Sequence, residues 1–170
     1  MLHRNRRVIT GFSETGASTI VADGPPPLVV ESEEGGPESA VMWSIPGVPT
    51  LPVAPGDPTV GLQALFPKPG GSCLMMVTHP PGSGVTDGSS DGTVVIDGVE
   101  FDSRGMHASE SVDYIIVVEG QIWLELDDNA EVVLSAGDVL VQNGTRHGWR
   151  NRGEVNAVVA VVLLGAERAS

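Results

Sequence analysis

The chain has 170 residues, 41% of them hydrophobic, and a formal net charge of −13 from 22 acids against 9 bases. That length suits one domain with one core, and the acidity argues against nucleic acid as a partner, because phosphate binding needs a basic face. Cys73 stands alone, which excludes an internal disulfide; it is expected to be a small buried hydrophobe.

The opening MLHRNRRVIT lacks the apolar core of a signal peptide. The most apolar run, AVVAVVLLGA near the end, is too short to cross a bilayer. A cytoplasmic protein with no membrane partner is therefore expected. Residues 6–22 predict strand, turn, strand, with β-branched RVIT and STIVA on either side of the turn residues GFSETG. The prolines of DGPPP end that pairing, since proline has no N–H to donate. LVVE and AVMWSI predict two further short strands, with an acidic loop between them.

The Pro-rich stretch 46–70 predicts an extended, poorly paired connection, with GLQALF as one helical turn inside it. SCLMMVTH resumes the sheet. The Gly-, Ser- and Asp-rich loop over 82–92 is either a lid or a plain surface loop. SVDYIIVVE, QIWLELDD, EVVLSAGDVLVQ, RHGWRN and NAVVAVVLLG then predict strands joined by short turns, LDDNAE being a hairpin turn. The last strand is apolar on both faces and is expected at the centre of a sheet. The fold class is all-β, a sandwich or barrel.

Two stretches carry a resemblance. In GDVLVQNGTRHGWRN, Gly137, Gly144, His147 and Asn151 follow the spacing Gly, five residues, Pro-x-Gly, two residues, His, three residues, Asn, with Asn143 or a neighbour where proline is usual. Upstream, GMHASESVDYIIVVEG resembles the companion pattern ending in Glu, six residues, Gly. Counting back from Gly120 puts Asp113 at the glutamate position, Ser109 at that of the second histidine and His107 at that of the first. Together these resemble the two motifs of the cupin family. The resemblance implies a double-stranded β-helix, or jelly roll, over one domain spanning residues 1–170. Residues 1–70 would form an N-terminal strand extension and connection, and residues 71–170 the conserved barrel. It also implies a homodimer formed by sheet extension, for which the edge strand RRVIT is suited.

The resemblance assigns a divalent metal (Fe, Zn, Ni or Mn) to His107, Asp113 and His147, with Ser109 where a fourth ligand would stand. Two imidazoles and a carboxylate make a facial triad suited to Fe(II). Strand parity agrees with it, since residues 107, 109 and 113 share a face. Trp149 and Asn151 share the parity of His147 and are expected, with Ser109, to line the substrate pocket. Glu110 has the opposite parity unless a bulge turns it inward. Glu110 or Asp113 would then act as the catalytic acid or base. Tyr114 is expected outside the barrel and His79 on the surface. Arg146, Arg150 and Arg152 would steer an anionic substrate or pair with surface acids. Three functions stay open: a metal-dependent lyase, decarboxylase, dehydratase or isomerase acting on a small organic substrate; an Fe(II) dioxygenase; and a non-catalytic small-molecule-binding protein.

Overall fold

The computed structural model describes residues 5–32, 35–84 and 92–169. Residues 85–91 of the expected lid or loop, and His3, lie outside the described residues. Thirteen strands are found among them. β1 (Arg7–Phe12) and β2 (Ser18–Gly24) form a hairpin that pairs with no other strand. β3 (Leu28–Glu31), β4 (Glu38–Ile45), β5 (Ser72–His79), β8 (Ser111–Glu119), β11 (Val139–Asn143) and β13 (Ala157–Gly165) make one antiparallel sheet in the order β11-β8-β13-β5-β4-β3. β9 (Gln121–Glu125), β10 (Glu131–Ser135) and β12 (Gly148–Arg150) make a second, in the order β10-β9-β12. β6 (Val94–Ile96) and β7 (Val99–Phe101) form a separate hairpin.

The two larger sheets face one another as an all-β double-stranded β-helix. Ile115 and Val117 of β8 and Ala157 and Val159 of β13 pack against Ile122 of β9 and Leu134 of β10 in one buried cluster. Alternation puts them there: along β8, Ser111, Asp113, Ile115 and Val117 are buried, while Tyr114, Ile116 and Val118 are exposed. Burying each such aliphatic side chain contributes about 1.5–3 kcal/mol. β13 sits between β8 and β5, as its unbroken apolar sequence predicts. Tyr114 lies outside the barrel and Cys73 inside, where burial pushes its thiol up to about 11.

β3 and β4 share their sheet with strands from beyond residue 71, so only the β1–β2 hairpin stands apart as an extension. The helical turn expected in GLQALF is absent; residues 58–61 form a turn, and Leu62, Leu65 and Phe66 cover a second core cluster of Val41, Cys73, Met75 and Leu163. Pro58 and Pro67 bracket the segment and leave it too short to propagate a helix; its apolar side chains instead cover one half of the sheet. The turn in LDDNAE forms as predicted, with Asp128 and Asn129 at positive φ.

Candidate functional site

The site begins with the loop between β7 and β8. Asp102 organises it: its Oδ1 accepts from the Arg104 and Met106 amides, each at 2.9 Å, and its amide donates to the Met106 carbonyl at 3.1 Å. Gly105, at φ 70°, completes the turn. This delivers His107 against His147, from forty residues downstream. The two backbones exchange a reciprocal pair of N–H···O bonds, each 2.8 Å. Their rings lie 4.3 Å apart between centroids, tilted by 49°. Phe101 stacks on the other side of His107 at 4.1 Å, and Trp149 meets His147 edge-on at 5.9 Å.

Both imidazoles have a fixed tautomer. His107 Nδ1–H donates to the Gly105 carbonyl at 3.1 Å, and His147 Nδ1–H donates to the Thr145 carbonyl at 2.9 Å. A carbonyl can only accept, so the lone pair of each neutral ring sits on Nε2. Burial, and secondarily the neighbouring His147, push His107 down to about 4, against the pull of the Gly105 carbonyl and Asp102. Burial also lowers His147, opposed by the Thr145 carbonyl. Both rings are therefore neutral at neutral pH.

His107 lines an open cleft of about 580 Å³. Ser109, Glu110 and Ser111 continue its wall, with Phe66 and Arg146 on other sides. Ser109 and Ser111 share a 2.8 Å hydroxyl contact. Glu110 is exposed at the rim, 3.6 Å from Arg168. Asp113 instead faces the barrel interior, where its Oδ1 has no hydrogen-bond partner among the described residues. Burial pushes its carboxyl up to about 6, with the Ser111 hydroxyl pulling the other way.

Several sequence expectations resolve differently here. Among the described residues no three His, Cys, Asp or Glu side chains converge closely enough to hold a metal ion. His107 and His147 come together as expected, and Asp113 does not complete a three-donor group with them. The orientation of the two rings fits a metal, since a ligating histidine commonly donates its other N–H to a carbonyl. The donor count falls short of the three protein ligands usual at a catalytic metal.

Asn151 and Trp149 do not line the cleft. Asn151 is wholly buried, donating from Nδ2 to the His79 and Val155 carbonyls at 2.8 and 2.9 Å and accepting from the Gly153 amide at 2.9 Å. Its hydrogen-bonding capacity is spent on holding its own turn, through Gly153 and Val155, and tying that turn to the end of β5 at His79. Trp149 packs against the barrel core. His79 is buried rather than on the surface, and burial pushes it down to about 4. Arg150 is buried too, its Nη2 3.0 Å from Glu125 Oε2 without hydrogen-bond geometry. Arg104 pairs with the same Glu125. Arg146 bonds Asp127 at 2.6 Å and also pairs with Asp102, while Arg152 lies 2.5 Å from Glu131. The three arginines thus pair with acids.

Sequence reasoning passed over Phe101, Asp102 and Ser111. The Asp-Ser-x-Gly run at 102–105 is turn chemistry and signals the loop; nothing local signals that Phe101 stacks on His107.

Residues 92–163 match the model of a family described as the cupin domain. The chain carries a cupin domain. Over 84 residues, 49% of the chain, it is 42% identical to phomopsin biosynthesis cluster protein C′ of Diaporthe leptostromiformis, covering 34% of that protein. Over 150 residues, 85% of the chain, it is 26% identical to oryzines biosynthesis cluster protein J of Aspergillus oryzae, covering 73% of it. Over 71 residues, 42% of the chain, it is 37% identical to the cupin-domain-containing oxidoreductase fogC of Aspergillus ruber, covering 34% of it. The chain thus spans about a third of the length of the phomopsin-cluster protein. No helix among the described residues is long and apolar enough to cross a membrane.

Proposed function

We infer that this cupin acts on a small organic substrate bound in the cleft, with His107 as the residue that exchanges a proton with it. The observation that carries this reading is a neutral imidazole on the cleft wall whose Nε2 lone pair has no hydrogen-bond partner among the described residues. When Nε2 takes a proton, the Gly105 carbonyl at Nδ1–H and the charge of Asp102 stabilise the imidazolium. Phe101 keeps the ring from turning away. A base held this low suits a substrate whose C–H is already acidified by a neighbouring carbonyl, as in isomerase, dehydratase, lyase or decarboxylase chemistry.

Solvent exchange tests this, because it registers proton abstraction whatever product follows. Small oxo acids and cyclic ketones are incubated with the protein in deuterated buffer, and exchange next to the carbonyl is followed by NMR. At least one compound should exchange faster with the wild-type protein than in buffer. His107→Gln should lose 10²–10⁴-fold of that rate, the usual contribution of a positioned base. A panel that binds without exchanging would overturn the enzyme reading and favour a binding protein.

A metal-assisted reading is supported by the two Nε2 lone pairs and by relatives named cupin-domain-containing oxidoreductases. His107 and His147 would be the protein ligands to Fe, Zn, Ni or Mn, and the ion would supply Lewis-acid or O₂ chemistry when bound. Metal content after purification without chelator separates the two readings. About one equivalent in the wild type that disappears in His147→Ala supports the metal; trace content in both rejects it. Oxygen uptake after anaerobic Fe(II) loading tests the dioxygenase form.

A further inference from the structure

Lys68 is the only lysine of the chain, and it lines the same cleft as His107. Its backbone is held from several sides. Proline at 69 bars Lys68 itself from helical backbone, and Pro67 before it has a fixed φ. Lys68 opens the turn Lys68-Pro69-Gly70-Gly71, in which the Gly71 amide donates to the Lys68 carbonyl at 2.9 Å. Gly70, at φ 82°, supplies the positive angle that such a turn needs at its third residue. The turn is docked on the end of β13: the Gly70 amide donates to the Gly165 carbonyl at 3.1 Å, and the Gly165 amide to the Gly71 carbonyl at 2.9 Å. A Cβ on Gly165 would lie 2.0 Å from the Lys68 carbonyl oxygen, so only glycine fits there. The next amide, that of Ala166, donates to the Glu110 carbonyl at 2.9 Å. The turn carrying Lys68 and the wall running from His107 to Ser111 are thus anchored on two adjacent residues.

Charge sets Lys68 apart from the other cations of the cleft. Arg146 pairs with Asp102 and Asp127, and Arg168 lies 3.6 Å from Glu110. Among the described residues Lys68 has no acid partner. Two further acids line the cleft. Asp97 accepts from the Leu65 amide at 2.6 Å. Glu100 is exposed on β7, one place before Phe101, so strand alternation turns it from the face on which Phe101 stacks on His107. The cleft therefore offers a ligand one uncommitted ammonium on a fixed backbone.

We propose that Lys68 binds a carboxylate of the substrate, so that the compound His107 acts on is an oxo acid and not a neutral ketone. This rests on the assignment of proton exchange to His107. A single free ammonium matches a singly charged group; a phosphate dianion would leave one charge uncompensated in a cleft that also holds Asp97 and Glu100. The ion pair supplies affinity and presents the acidified C–H in a fixed orientation.

Because the lysine is single, protein labelled with carbon-13 at the lysine Cε gives one lysine signal by NMR. 2-Oxobutanoate, 4-oxopentanoate and 3-benzoylpropanoate are titrated against it, each beside its methyl ester. At least one acid should move the signal saturably while its ester does not. Lys68→Ala should raise KM for exchange of that acid about tenfold with little change in kcat, and Lys68→Arg should recover part of the loss. An acid that moves the signal without exchanging supports the carboxylate site and removes the proton-exchange role of His107. Exchange of an ester as fast as its acid, or exchange indifferent to Lys68→Ala, preserves that role and overturns the proposal. So does a panel in which no acid moves the signal. Amine-bearing ketones that bind in preference to the acids, and lose binding in Glu100→Gln, would assign the cleft to a cation and overturn it as well.

Discussion

Asp113 lies mid-strand in β8, on the same buried face as Ile115 and Val117, and one of its oxygens has no hydrogen-bond partner among the described residues. Its carboxyl, held near 6 instead of 3.8, takes up a proton on folding across that interval. The sign follows: the native state binds the extra proton, so stability falls as pH rises from about 4 to about 6 and stays low above. The rise corresponds to about 3 kcal/mol at most. Asp113→Asn removes the charge but keeps the shape. Measured by urea midpoint, the variant should gain up to about 3 kcal/mol on the wild type between pH 4 and pH 7.5. A stability difference that does not change with pH would show that the carboxyl is solvated. Counting from Gly120 found this residue, and parity turned it inward. What neither disclosed was the hydroxyl at Ser111, beside it on the same face, which favours the carboxylate against the larger effect of burial.

At the scale of elements, the strands were legible because alternation and turn residues are local properties. β8, β9, β10, β11 and β13 fall where the pattern puts them, and the His107–His147 bridge follows from the two motifs. Polar burial was not legible, because it depends on remote partners. His79 looked like a turn residue before a proline; it is held inside by Asn151, seventy-two positions away. Arg150 looked like a surface cation; β12 pairs with β9 and sets it against Glu125. That pairing makes a prediction about the small sheet. Glu125 is shared by buried Arg150 and half-exposed Arg104. Glu125→Gln leaves the Arg150 charge buried and uncompensated, and should destabilise by about 3–5 kcal/mol. Arg104→Ala, at the wet end of the cluster, should lose less than about 1 kcal/mol. Chemical denaturation of the two variants checks the contrast, and equal losses would refute it.

For the whole molecule, the buried titratable groups set a pH profile. His79 and His107, ordinarily near 6.5, are each held at about 4 by burial, and His147 is lowered as well. Between these values the unfolded chain is protonated while the folded one is not, so stability is lost as pH falls from 6.5 towards 4. Asp113 opposes this over pH 4–6, but one carboxyl stands against three imidazoles. Cys73, pushed from 9 to about 11, keeps its proton in the folded state, so stability also falls as pH rises through that interval. Thermal unfolding should therefore show a plateau from about pH 6.5 to 9 with a decline on both sides. The acid limb belongs to the histidines: His79→Gln should flatten it by up to about 3 kcal/mol, while Asp113→Asn should steepen it. If His79→Gln leaves the acid limb unchanged, His79 is reached by water, and the tie that Asn151 makes across the β5 and β12 ends of the barrel is looser than its hydrogen bonds imply.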